Sequence, residues 1–120
     1  MGRRSRRQAK LAPALEAPSR EYSDPEGNVL ELRGSLTIGS RHAYAQALTA
    51  SPLSLEDARQ RAFELLFERL AVRWVMAGVA SDSQKELLAR LRIATPAERE
   101  WVRQTLRHHC AEHFPDVQAP

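Results

Sequence analysis

The run SLEDARQRAFELLFERLAVRWVMAGV, residues 54–79, decides the fold. At a period of 3.6, Ala58, Ala62, Leu65, Leu66, Arg69 and Leu70 follow one stripe, and Phe63, Phe67, Leu70 and Trp74 follow a second. Val72, Val75, Met76 and Val79 widen the apolar surface near the C-terminal end. Ser54 can cap the first turn, with Asp57 at the position where a capping box prefers Glu or Gln. Gly78 stands where such a helix would end. The spacing predicts one long helix from Ser54 to about Ala77. A face that broad needs neighbours on more than one side. Either the rest of the chain wraps it, or part of it is kept for a partner. Phe63, Phe67, Trp74 and Met76 are expected to divide between core and partner contact.

Upstream, Asp24-Pro25-Glu26-Gly27 carries turn chemistry: an Asp that bonds nearby backbone, a Pro with preset φ and a Gly that accepts positive φ. After it, Leu30 and Leu32 alternate with Val29, Glu31 and Arg33, the pattern of a half-buried strand. Residues 20–23 can pair with that strand across the turn. A lone hairpin is marginal, so it must lie on helices or join another sheet. Thr37 can cap a helix over Ile38–Thr49, although Gly39 weakens its first turn.

Downstream, Ser81-Asp82-Ser83-Gln84 opens a shorter helix to about Arg92, with Leu87, Leu88 and Leu91 as its apolar face. Thr95-Pro96-Ala97-Glu98 is the strongest helix start in the chain: a cap, a Pro at the first position and a Glu that can reach back. This last helix runs to about His113 and stops at Phe114-Pro115. The expected fold is mainly α (α+β): an N-terminal β-hairpin followed by about four helices in a small bundle. Residues 1–19 are expected to be a flexible basic arm, residues 20–114 the single domain, and residues 115–120 a loose C-terminus.

At 120 residues the chain has room for one domain. No apolar run approaches the roughly 18–20 residues of a membrane span, and the charged start has no apolar core behind it, so neither membrane insertion nor a secretory signal is expected. One cysteine, Cys110, precludes an internal disulfide and suits a reducing compartment. The net charge of +3 is unevenly placed. Arg3, Arg4, Arg6, Arg7 and Lys10 make the first ten residues +5, which leaves the remainder at −2. Such an arm can neutralise nucleic-acid phosphates in a salt-dependent way. Against that reading, Arg outnumbers Lys 16 to 2 throughout, as a GC-rich genome would produce, and no aromatics are interleaved for base stacking.

His109, Cys110 and His113 share the end of the last helix, and the four-residue step between the histidines is a metal-ligand spacing. A structural zinc needs four ligands, no second pair of Cys or His exists elsewhere, and His42 is the only histidine outside this helix. Histidines in a last turn also complement the helix dipole, and Cys110 suits a core. A Cys110–His nucleophile pair would lie along one helix with no oxyanion donors nearby. Gly34-Ser35 and Gly39-Ser40 lack the Lys and glycine spacing of phosphate loops. The paired acids Glu56-Asp57 and Glu98/Glu100 sit at helix starts, where the dipole favours them. The expectation is no catalytic site, no metal and no cofactor.

The order of features is similar to that of small tail-assembly chaperones of tailed phages. The likeness spans about residues 26–106. It rests on a hydrophilic start, on the strand Val29-Leu30-Glu31-Leu32-Arg33, on Leu36-Thr37-Ile38-Gly39-Ser40-Arg41 opening a helix, and on a long helix containing Trp74 in AVRWVMAGV, followed by a shorter helical region. The resemblance implies a non-enzymatic role that shields tail or tape-measure surfaces, or joins virion parts, in the cytoplasm of a bacterial host or within the virion. The partners it implies are proteins: tail or other virion components, or a second copy of the chain. The basic first ten residues depart from the family pattern and keep a nucleic-acid-binding regulator as the alternative.

Overall fold

The computed structural model describes residues 18–49 and 54–120. In chain order the elements are β1 (Arg20–Ser23), β2 (Val29–Leu32), α1 (Ile38–Thr49), α2 (Leu55–Leu70), β3 (Ala71–Met76), β4 (Val79–Ser81), α3 (Gln84–Ile93) and α4 (Pro96–His113). The strands form one antiparallel sheet in the order β1-β2-β3-β4. The fold is α+β, and the N-terminal hairpin and four helices are present.

The hairpin does not stand alone: β1 and β2 belong to a four-stranded sheet that shares its core with the helices. The expected long helix needs correction: it stops seven residues early, at Leu70, and AVRWVM continues as β3. The apolar width near Trp74 was a change of period from 3.6 to 2, because Trp74 and Met76 point into the core while Arg73 and Val75 point away. No glycine marks the switch. Ala71 takes extended angles (φ −69°, ψ 126°). The carbonyl of Leu70, which would otherwise lack a donor at the helix end, accepts from the N–H of Arg33 at 2.8 Å. The helix end is thus tied to the residue that follows β2, at the point where the β2–β3 pairing begins. A register irregularity between Glu31 and Leu32 lies beside it.

The β3–β4 connection is a two-residue turn with Ala77 at φ 51° and Gly78 at φ 79°, the signature of a type I′ hairpin. The β1–β2 turn is braced by Asp24, whose Oδ1 accepts from the backbone N–H groups of Glu26 (2.8 Å) and Asn28 (2.9 Å). Asn28 Oδ1 accepts from Ala77 N at 3.0 Å, which ties the two turns together.

The core joins Leu30, Leu32, Trp74 and Met76 of the sheet to Phe63, Leu66 and Phe67 of α2, Leu87 and Leu91 of α3, and Val102 and Leu106 of α4. Helix starts follow the sequence closely. Ser54 caps α2 by accepting from Asp57 N, and Thr95 with Glu98 makes a complete capping box on α4. The α3 cap is Ser83, while Ser81 belongs to β4. Residues 115–120, expected to be loose, are docked. Val117 is buried, Tyr44 Oη donates to the carbonyl of Gln118, Arg41 pairs with Asp116 at 3.2 Å, and Arg107 Nε donates to the carbonyl of Pro120.

Candidate functional site

Phe63, Phe67, Trp74 and Met76, expected to be shared with a partner, are all buried in this molecule's own core. The Phe67 and Trp74 rings meet edge-on at 5.7 Å, and the Arg103 guanidinium lies 4.9 Å from the Phe63 ring centre. Phe63, Phe67 and Trp74 present no surface, and Met76 reaches only the wall of a small pocket, so the four serve this molecule's core. Arg3, Arg4, Arg6, Arg7 and Lys10 lie outside the described residues.

The histidine cluster at the end of α4 is a structural network. His109 is fully buried. Its Nε2 lies 2.7 Å from the carbonyl of Arg33, and its Nδ1 lies 2.7 Å from Tyr22 Oη. A carbonyl only accepts, so Nε2 carries the hydrogen and Nδ1 accepts from the tyrosine. Both ring nitrogens are therefore engaged. Burial pushes His109 below the usual imidazole value, against the opposing pull of the Arg33 carbonyl. The His113 ring lies 4.4 Å from that of His109, tilted by 38°. Burial pushes the Cys110 thiol up to about 11, with Asp116 adding to the effect, so it is a poor thiolate at neutral pH. His109, Cys110 and His113 do not converge as ligands: among the described residues no group of three His, Cys, Asp or Glu side chains is arranged to hold a metal.

Two surfaces were not evident from the chain alone. The first is the sheet face opposite the helices. Cross-strand register places Glu21, Glu31 and Arg73 in one row there, and Ser23, Val29, Val75 and Ala80 in the next. Glu21, Ser23, Arg73 and Ala80 are exposed, and Val29, Glu31 and Val75 are half-buried. The alternation of residues 29–33 announced half of this face. The other half became legible only once residues 71–76 were a strand.

The second is an open groove of about 680 Å³ at the end of the sheet where β2 leaves for α1 and α2 enters β3. Arg33, Ser35 and Thr37 line one side, Arg69 and Val72 another, with Ser19 and Glu31 completing it. A smaller pocket of about 240 Å³ at the opposite end is lined by Asn28, Met76, Ala77 and Ile93 among others. Ile38, Leu55, Val79 and Ile93 are the large apolar side chains that stand exposed among the described residues. No described helix is long and apolar enough to cross a membrane. Comparison of the chain with protein families, curated proteins and solved structures finds no match.

Proposed function

We propose that this protein is a non-enzymatic binding module of tailed-phage assembly, and that it docks a protein partner on the sheet face opposite its helices. The carrying observation is that face itself: Val29, Val75 and Ala80 stand in one row beside the charged row Glu21, Glu31 and Arg73. An apolar row edged by both signs of charge suits a specific protein contact. The short strands β1 and β4 at the two edges also leave backbone groups for strand addition. The phage assignment rests on the resemblance in the β2 strand and the opening of α1, since Trp74 lies on β3 and not in the long helix that the resemblance expects; tail and tape-measure components are the partners it suggests.

Substituting Val75→Lys and Arg73→Glu tests the reading. Co-expression with a tail-tube and a tape-measure protein of a tailed phage from the same source should recover a complex with the unaltered chain and lose it with either variant, while melting shifts little. A complex that survives both substitutions overturns the assignment of this face. The rival is a nucleic-acid regulator acting through the +5 arm. Deleting residues 1–10 and titrating DNA and RNA over a salt series separates the two, because only the rival loses salt-sensitive binding.

A further inference from the structure

We propose that the groove at the bulged end of the sheet binds a small, multiply charged oxyanion between Arg33 and Arg69. The two arginines are brought together by the backbone: Arg33 N–H donates to the carbonyl of Leu70, the residue next to Arg69. The Arg33 carbonyl is in turn held by His109 Nε2 at 2.7 Å. Its main chain is thus pinned on both sides before any ligand arrives, which is the preorganisation a binding residue needs. Neither guanidinium has an ion-pair or hydrogen-bond partner among the described residues.

Two unpaired like charges lining one groove repel, and a bound dianion would relieve that repulsion while accepting charge-assisted hydrogen bonds. Glu31 also lines the groove, but its carboxylate accepts from Ser19 Oγ, and the arginines outnumber it. The hydroxyls of Ser35 and Thr37 lie on the same lining. A volume of about 680 Å³ falls within the range of about 300–1,000 Å³ typical of small-molecule sites. Val72 and Leu36 add apolar wall, so the ligand class is an oxyanion carried on a small organic body. The groove adjoins the partner face at Glu31, but the proposal does not rest on that face being an interface.

The test is isothermal titration of the full chain with inorganic pyrophosphate and, separately, with citrate, beside amide-shift mapping. Saturable binding of either is expected, with shifts at Ser35, Thr37 and Arg33. Arg33→Gln and Arg69→Gln should each weaken it about tenfold or more, the size of one charge-assisted contact. Binding of pyrophosphate alone would narrow the class to phosphates, and binding of both would admit carboxylates. Both arginines are exposed, so these variants should melt like the parent, and Arg69→Lys should retain part of the affinity. Absence of saturable binding overturns the proposal. So does binding unchanged in both Gln variants, or binding lost instead when Arg3, Arg4, Arg6 and Arg7 are replaced by Gln.

Discussion

The hydroxyl of Tyr22 on β1 lies 2.7 Å from Nδ1 of His109 on α4, 87 residues further along the chain. With Nε2 donating to the Arg33 carbonyl, one imidazole ties the last helix to an edge strand and to the segment that leaves β2. The rings of Tyr22 and His109 also meet edge-on at 5.5 Å. An ion pair between Arg20 and Glu112 at 2.7 Å closes the same seam from the solvent side. Its exposure makes it the weaker of the two ties.

This network sets an acid limit. Burial holds His109 below the ordinary imidazole value in the folded protein, with Arg20 and His113 opposing the charged form and Glu112 favouring it. The unfolded chain therefore takes up a proton near pH ~6.5 that the folded protein resists. Stability from neutral His109 is complete above that pH and falls as the pH drops from there through the lower folded value. Urea midpoints measured between pH 8 and 5 should fall on the acid side. Substituting His109→Gln should flatten that slope; a slope that persists unchanged would remove His109 as its cause.

Tyr22→Phe isolates the hydrogen bond from the packing. The ring remains, but Nδ1 of His109 loses its donor inside the protein. A buried polar atom without a partner costs about 1–3 kcal/mol. Chemical denaturation should show a loss of that size at pH 8, and a loss below about 0.5 kcal/mol would mean water replaces the tyrosine.

Trp74 is core and not interface, because only 1% of its surface is exposed and it packs on Phe67. Trp74→Ala should cost about 3–5 kcal/mol of monomer stability. Its Nε1 is buried without a partner. Trp74→Phe, which removes that orphan donor, should therefore cost markedly less than the Ala change. Thermal melts of the two variants decide this, and equal losses would contradict it.

Ala77 holds a left-handed backbone at φ 51° ahead of Gly78. That region disfavours a residue with a Cβ by about 1–2 kcal/mol, with Asn penalised less. Ala77→Asn creates the preferred Asn-Gly pair of a type I′ turn and keeps the N–H that Asn28 Oδ1 accepts. A gain of about 0.5–1 kcal/mol in unfolding free energy is expected, and a loss would show that the turn is held differently.

Several elements could be read directly from neighbouring residues. Thr95 and Glu98 satisfy each other within three positions, and Asp24 closes its own turn within four. Leu30 and Leu32 alternate with Glu31 and Arg33 whatever else the chain does. The candidate sites were less legible. The partner face needs β3 to be a strand, and the groove needs Arg33 brought beside Leu70 from a distant part of the chain. The docked end was equally hidden, because Val117 and Gln118 find their partners on α1 and the core.

Residues 71–76 mark the dividing line. Ala71, Val72, Trp74 and Met76 continue the apolar surface of α2 without a glycine or proline to interrupt it, so local preference alone allows the helix to run on. The chain by itself determined where helices begin, where the first hairpin turns and which residues are apolar, since those depend on contacts within a few positions. Only the tertiary structure decided that α2 ends at Leu70, because the competing hydrogen bonds come from β2 and the residue after it: Arg33 N–H donates to the last helical carbonyl, and the β2–β3 ladder outweighs two further helical turns.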